Sequence, residues 1–417
     1  MQLHAELSTS FVSKSGVAVG DAKVRDGAHR STPDNLSDAR LRILLIVESS
    51  ACGTGRHILD LADGFIQRGH FVYLVHSTIR CDRLFEKRLA RIKGIQCLAL
   101  PMYTPPHPSD YRIVRAIRKL QSEHGPFDIV HGHSSKGGAL ARLAALGTRA
   151  KTFYTPHGLI CLDTHLRWWK QGSYVAIERV LSWFTDGIIA VAPEEERAAA
   201  AMGLNPRKLT TIPNGLEPLE LASRASARSA MGVSDKEVVI GFVGRLVEQK
   251  APDVLLKSFA RASTTAPNAR LAIVGDGHLL NTLKAISRET RVQDKIIWLG
   301  ERDAREVLAG FDLFALASRK EGLPYVVLEA MAAGLPVVAT RSAGVEILVA
   351  PDANGIVVPR DDVDAFAGAL SHLLQNPDLL IRFGAASRGA VARFSIDAMI
   401  DNTLSYYRSK LRARPHP

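Results

Sequence analysis

At 417 residues the chain is too long for one hydrophobic core, so two domains are expected. Its 46% hydrophobic content contains no run near the roughly 18–20 apolar residues of a membrane span, which excludes a helical integral membrane protein. The net charge of +11 falls mostly before Gly215 and points to an acidic partner there: an anionic membrane surface, a phosphate-bearing substrate or nucleic acid.

Residues 1–40 are polar and aperiodic and read as a disordered tail. They hold no apolar segment of a secretory signal. Leu41–Val47 reads as a buried strand, Glu48–Gly55 as a small-residue turn, His57–Arg68 as a helix and Phe71–Val75 as a second strand. Two basic amphipathic helices follow, Cys81–Lys93 and Tyr111–Gln121. The second sets Arg112, Arg115, Arg118 and Lys119 opposite Ile113, Val114, Ile117 and Leu120. This is either the solvated face of a sheet-covering helix or a surface for anionic head groups. Further strands are expected at 128–131, 152–155, 187–191 and 210–212. Helices are expected at 138–146, 174–184 and 194–202. Pro213-Asn214-Gly215 is a turn signal and marks a domain boundary.

The second domain restarts with strand Val238–Val243 and a loop, Gly244 to Lys250, before helix Ala251–Thr264. Strands at 271–274 and 296–299 and helices at 278–288 and 303–310 continue it. Then Phe314–Ala317 reads as a strand, Ser318–Leu323 as a turn, Tyr325–Ala333 as a helix opened by Pro324, and Val337–Thr340 as the next strand. Strand Gly355–Val358 and helix Val363–Leu374 follow. A last helix over Ser395–Arg412 is expected to cross back to the first domain. The fold class is α/β: Rossmann-like domains over 41–215 and 216–394 face each other across a cleft, with 395–417 as crossover helix and tail.

Ligands of such sheets bind at the carboxyl ends of the strands. Arg245 and Lys250 follow one strand there and suit a diphosphate, Arg as a planar fork and Lys as a point charge. Glu321 and Glu329 bracket a helix start whose amides, from Tyr325 to Leu328, suit an anion. Cations, helix amides and a carboxylate able to take a ribose diol together describe a nucleotide-diphosphate site. The cations and amides could also stabilise a leaving diphosphate. His157 follows a strand on the facing side. His131 and His133, two apart with no third ligand nearby, make a poor zinc site. No Asp-x-Asp is seen to hold a metal, and none is expected. The four cysteines (Cys52, Cys81, Cys97, Cys161) lack zinc spacing and fit a reduced cytosol. Nucleic acid is set aside, because aromatics are only 6% and do not interleave with the cations.

The ordered motifs CGTGRH, DIVHGH, TPHG, IPNG, VGRLVEQKAPDVLL, IVGDG and EGLPYVVLEAMAAGLPVVAT resemble the retaining glycosyltransferases of family 4, with the GT-B fold, from Leu41 to the C-terminus. The last motif carries the E-x7-E signature as Glu321 and Glu329. The resemblance implies that Glu329 binds the ribose hydroxyls and that Glu321 lies by the donor sugar. It implies that Arg245 and Lys250 hold the diphosphate, with the Gly53 amide near its β-phosphate. His157 would contact the sugar and turn its backbone carbonyl toward the reacting carbon. The implied catalytic set is His157, Arg245, Lys250 and Glu321. Gly53, Gly55, Gly244, Gly322, Leu323, Tyr325, Val326 and Glu329 complete the donor site. Retention by front-face attack, with the leaving phosphate taking the acceptor proton, would need no carboxylate nucleophile. The chain departs from the commonest pattern at Cys52-Gly53 (for Gly-Gly), Lys250-Ala251 (for Lys-Gly) and Ala343-Gly344-Val345-Glu346 (for Gly-Gly-x-x-Glu). The expected donor is a nucleotide-diphosphate sugar, foremost a UDP-sugar, with no separate cofactor. The expected acceptor is a saccharide or lipid-linked sugar in cell-surface polysaccharide or glycolipid synthesis. The expected place is the cytoplasm, and the basic first half allows peripheral contact with the inner face of the cell membrane. The alternative on this fold is a sugar-nucleotide epimerase or hydrolase.

Overall fold

The computed structural model of the protein describes residues 39–160 and 167–412. The tail predicted over 1–40 (apart from 39–40), Cys161 and the residues after 412 lie outside them. The first half alternates strands and helices: β1 Arg42–Val47, α1 Cys52–Gln67, β2 Phe71–Ser77, α2 Arg83–Leu89, β3 Gln96–Leu100, α3 Asp110–His124, β4 Ile129–His133, α4 Ser134–Ala145, β5 Lys151–Thr155, α5 Trp168–Trp183, β6 Gly187–Ala190, α6 Pro193–Ala201 and β7 Leu209–Thr211. The strands form one parallel sheet in the order β3-β2-β1-β4-β5-β6-β7. After α7 (Arg224–Met231) come β8 Val238–Val243, α8 Pro252–Ala262, β9 Ala269–Val274, α9 Leu280–Glu289, β10 Ile296–Gly300, β11 Leu313–Leu316, α10 Tyr325–Ala332, β12 Val337–Thr340, α11 Val345–Leu348, β13 Gly355–Val358, α12 Val363–Leu374, α13 Pro377–Val391 and α14 Ile396–Arg412. Their sheet is also parallel, ordered β10-β9-β8-β11-β12-β13. Strand order reverses beside β1 and beside β8, which places a crevice at the carboxyl end of each.

Parallel strands covered on both faces alternate which core they feed. Ile43, Leu45 and Val47 of β1 join Ile58, Leu61 and Phe65 of α1 and Met399, Ile400 and Tyr407 of α14. Leu44 and Ile46 face the other way, onto Ile113 and Ile117 of α3 and Leu140 and Ala144 of α4. The second sheet has its own core, from Val239 and Phe242 to Phe366 and Leu370. Helix α14 thus packs on the first sheet. A Cβ at Gly64 would stand 2.1 Å from Ile400 Cδ1, so only glycine lets α1 and α14 approach this closely. The two chain crossings lie side by side: the Leu216 amide donates to Phe394 O at 2.8 Å, and the Ile396 amide to Leu216 O at 3.2 Å.

Some expectations need correction. The stretch Cys52–Gly55 is no turn but the first turn of α1, stabilised where Asp82 accepts from the Cys52 amide at 2.8 Å. Helix α4 begins at Ser134, four residues before its expected start, and α2 is confined to Arg83–Leu89. Strand β3 and helices α7 and α13 were not predicted. The chain does hold an Asp-x-Asp, Asp362-Val363-Asp364, but Asp362 caps α12 through the Ala365 amide and Asp364 pairs with Arg261 of α8.

Candidate active site

The second-domain rim is built from two loops fastened together. The Arg319 amide donates to Gln249 O at 2.8 Å, Gln249 Nε2 to Lys320 O at 3.0 Å, and Arg319 Nη1 to Glu248 O at 2.6 Å. This lays the Gly244–Lys250 loop along Ser318–Glu321, and Lys250 Nζ meets Glu321 Oε1 at 2.6 Å. Glycines make the fit possible. A Cβ at Gly275 would lie 2.0 Å from Gly244 O, and one at Gly344 would lie 1.9 Å from Gly322 O. Gly344 therefore backs the Glu321-Gly322-Leu323 turn, while Glu346 pairs with Arg341 at 3.2 Å. Pro324 is the N-cap of α10 and not its first residue. The Val327 and Leu328 amides both donate to Pro324 O. Of the amides expected to face an anion, Tyr325 and Val326 are thus left. The Gly244 amide is likewise taken, by Val274 O at 2.9 Å.

The first-domain rim gathers residues far apart in sequence. Register sets Val47 beside His133 and His133 beside Thr155, so three strands deliver their ends together. His157 follows β5 in left-handed backbone (φ 56°). Its turn is held by the buried Glu195 of α6, which accepts from the Gly158 amide at 2.6 Å and the Val191 amide at 2.9 Å. His157 Nε2 lies 3.1 Å from His133 Nδ1, and the His57 ring packs edge-on to His157 at 4.6 Å. Burial keeps all three rings neutral. His57 is pushed down to about 4, and His133 and His157 fall well below the imidazole range, where the neighbouring histidines add repulsion.

The paired reading of His131 and His133 does not hold. His131 is structural, with Nδ1 on Tyr407 Oη at 2.5 Å and Nε2 on Thr155 Oγ1 at 2.9 Å. His133 instead joins His57 and His157, and one nitrogen from each lies within 4.8 Å of the others. Three neutral imidazoles are of the type that binds transition ions. Sequence reasoning missed this set because its members come from α1, β4 and the turn after β5.

Gly53 and Gly55 separate in role. Gly53 is exposed at the start of α1, 3.6 Å from Tyr325 Cδ2 as measured from a built Cβ, and its first-turn amide has no carbonyl within the helix to serve. Gly55 is buried: its amide donates to Ala51 O, and a Cβ would meet Phe85 and Ser50 at 3.0 Å. It is a packing glycine, which removes it from the donor set.

The rims touch. Arg56 of α1 pairs with Glu329 of α10 and lies over the Tyr325 ring at 4.5 Å. Tyr325 Oη reaches Asp60 at 3.5 Å, and Asp60, raised to about 6 by burial against the pull of Arg88 and Arg56, binds Arg88 at 2.5 Å. Asn214 Nδ2 donates to Leu323 O at 2.8 Å. A Cβ on Gly322 would lie 3.4 Å from the His157 carbonyl oxygen, so that carbonyl borders the Glu321 turn. Burial raises the Cys52 thiol, and the charges of Arg245 and then Lys250 pull it back. Lys250, Glu321, Gly322, Leu323, Glu329, Gly53 and His157 thus border one cleft, with Arg245 in the loop that Lys250 ends and Val326 in the first turn of α10. Arg56, His57, Asn214 and Glu195 are the residues not foreseen. Arg56 and His57 directly follow the quoted glycines, and Asn214 lies inside the IPNG motif, so the first signal was present.

Residues 51–218 match the family model described as Glycosyltransferase Family 4, and residues 223–390 the one described as Glycosyl transferases group 1. The UDP-Gal:alpha-D-GlcNAc-diphosphoundecaprenol alpha-1,3-galactosyltransferase of Escherichia coli is 29% identical, over 67% of this chain and 75% of its own. The GDP-mannose-dependent monoacylated alpha-(1-6)-phosphatidylinositol monomannoside mannosyltransferase of Corynebacterium glutamicum is 33% identical, over 52% of this chain and 60% of its own. The solved structure of Anabaena HepE in complex with UDP and glucose shares the fold with a TM-score of 0.77 at 19% identity, covering 89% of this chain and all of that one. With one model matching each half, this chain belongs to the family 4 glycosyltransferases and has their two-domain GT-B fold.

Proposed function

We propose that the enzyme moves a sugar from a UDP-sugar to a lipid-linked saccharide with retention at the transferred carbon, without a metal, at an anionic membrane surface. One observation carries this reading: the Arg245–Lys250 loop, tied to Glu321, and the starts of two helices, α1 and α10, border one cleft, across which Arg56 of α1 pairs with Glu329 of α10. The cations and the free amides stabilise the departing diphosphate as its charge develops. Glu321 is tied to Lys250 and positions the donor. His157 and His133 hold each other through their ring nitrogens, so His157 meets the sugar as a neutral hydrogen-bonding group. A UDP donor and a lipid-linked acceptor are favoured by the Escherichia coli relative, whose name gives both, and a lipid acceptor by the Corynebacterium one. Nothing in the site favours the epimerase or hydrolase reading.

A melting-temperature screen of nucleotide sugars identifies the donor, since a ligand that binds only the folded state raises it. Transfer to a diphosphoprenol-linked sugar, followed by NMR, is expected to give the donor's own anomeric configuration, and added chelator to leave the rate unchanged. An inverted product overturns the retaining mechanism; a chelator-sensitive rate assigns a metal to the three histidines.

A further inference from the structure

Helix α5 has apolar side chains on both sides, and only one of them meets the protein. Glu178, Leu181 and Ser182 face inward, with Tyr174 and Val175 against the core near β6. At 100° per residue, Trp169, Ile177, Val180, Trp183 and, just past the helix, Phe184 share the opposite side. They are 46–75% exposed, and no charged residue interrupts them. A surface helix of a soluble protein carries polar residues there. An exposed tryptophan leaves a large apolar ring in water, whereas at a lipid interface it is enriched, and three of the chain's four tryptophans are in this helix.

The charges around this stripe select the partner. The one acid of α5, Glu178, is buried on Arg142 at 2.8 Å, so its outward charges, Lys170 and Arg179, are positive. Helix α3 lies on the same face of the sheet and exposes Arg112, Arg115, Arg118 and Lys119. Arg118 donates to the carbonyls of Leu143 and Leu146 at the end of α4, both exposed, and Leu146 lines one hollow with Trp183 and Phe184. Basic helix, exposed leucines and aromatic stripe therefore run on continuously. A second copy of the chain would bring the same positive charges against each other, whereas an anionic bilayer offers the complementary charge and an apolar interior.

We propose that this face docks on an anionic bilayer, with Trp169, Trp183 and Phe184 entering the head-group region and α3 adding electrostatic attraction. This rests on the membrane part of the functional reading and moves the main contact from the basic helices to α5. It is tested with the full chain and sucrose-loaded vesicles of phosphatidylcholine, with and without phosphatidylglycerol. The wild type is expected to sediment with the anionic vesicles and to show blue-shifted tryptophan emission quenched by brominated lipid. The variant Trp169→Ser/Trp183→Ser/Phe184→Ser should lose at least about tenfold in vesicle partition, and Arg112→Gln/Arg115→Gln should lose less and become insensitive to salt. Both should keep the wild-type melting temperature and its rise with the donor sugar nucleotide. Unchanged partition of the aromatic variant overturns the proposal. So does a fall in sedimentation mass from dimer to monomer without loss of vesicle binding, which would assign the stripe to a second copy. Absence of a donor-induced shift in the wild type would instead defeat the transferase reading and leave the vesicle result standing.

Discussion

The two rims of the cleft are built on opposite plans. The second-domain rim draws its chemistry from two short stretches, Gly244–Lys250 and Glu321–Glu329, laid side by side by backbone bonds. The first-domain rim takes His57 from α1, His133 from β4, His157 from the turn after β5, its buttress Glu195 from α6 and Asn214 from the crossing. The former rim carries charge and holds it in ion pairs. The latter is largely buried and lined by neutral imidazoles, with the Glu195 carboxylate behind them bonded to backbone amides. A charged rim can bind and release an anion, whereas a neutral one can shape the space for an uncharged sugar. The difference predicts which perturbations each rim feels.

The largest effect is expected on the charged rim. Lys250→Ala should lower the transfer rate by about 10²–10³-fold, as removing a preorganised charge at a leaving group does. Part of that loss comes from Glu321, whose largely buried carboxylate loses its cation. The double variant Lys250→Ala/Glu321→Gln, compared with each single change, separates the two. If the double variant recovers near wild-type turnover, Lys250 serves Glu321 alone and the comparison fails.

The neutral rim should answer to pH. His57 is pushed down to about 4 in the fold, against about 6.5 in the unfolded chain. Between those values the unfolded chain binds more protons, so stability is full above about 6.5 and falls as pH drops through the window. For His57 alone the loss is about 3 kcal/mol once pH reaches 4, and His131, His133 and His157 act in the same direction. Asp60, raised to about 6, opposes them, because its contribution is lost as pH rises through 6. The four histidines outnumber it, so urea midpoints should fall between pH 7 and 5, and His57→Gln should flatten that slope. A slope unchanged by His57→Gln would place the acid sensitivity elsewhere.

This contrast also explains what could be read without coordinates. The charged rim was legible because its partners are neighbours in sequence: five residues separate Arg245 from Lys250, and eight separate Glu321 from Glu329. Strands β8 and β11 were visible as apolar runs, and so was the return of α14. The histidine cluster was not, since no periodicity brings α1 to the end of β4; sheet order does that. Gly53 and Gly55 looked alike in a presumed loop, and only the start of α1 at Cys52 turns one toward the cleft and the other into Phe85. The apolar outer stripe of α5 was equally hidden, because a helix with two apolar sides has no single periodic face to find.

Arg56 joins the rims, and its removal tests whether they act as one site. Its guanidinium holds one oxygen of Glu329, so the other remains for a ribose diol, and the pair keeps the carboxylate aimed. Arg56→Gln should therefore raise the KM for donor by about three- to tenfold, with little change in kcat. A lower KM would instead show that Arg56 competes with the donor for Glu329.

The smallest effect is expected directly behind Lys250. Ala251 sits where the family commonly has glycine, at φ 45° and ψ 47°, with its methyl fully buried. Left-handed backbone costs an L-residue about 1–2 kcal/mol, which Ala251→Gly would relieve. The same change frees the unfolded chain by about 0.4–1 kcal/mol and removes a methyl whose burial contributes about 0.8 kcal/mol. These terms cancel to within about 1 kcal/mol, so the urea midpoint should barely move. Ala251→Val cannot adopt that backbone and should destabilise clearly, by about 2 kcal/mol or more. If the glycine variant gained well over 1 kcal/mol, the buried methyl would contribute nothing and the charged rim would be strained at its base; near-neutrality means that alanine and glycine are interchangeable there, and that the cation is held by Glu321 and not by the turn that follows it.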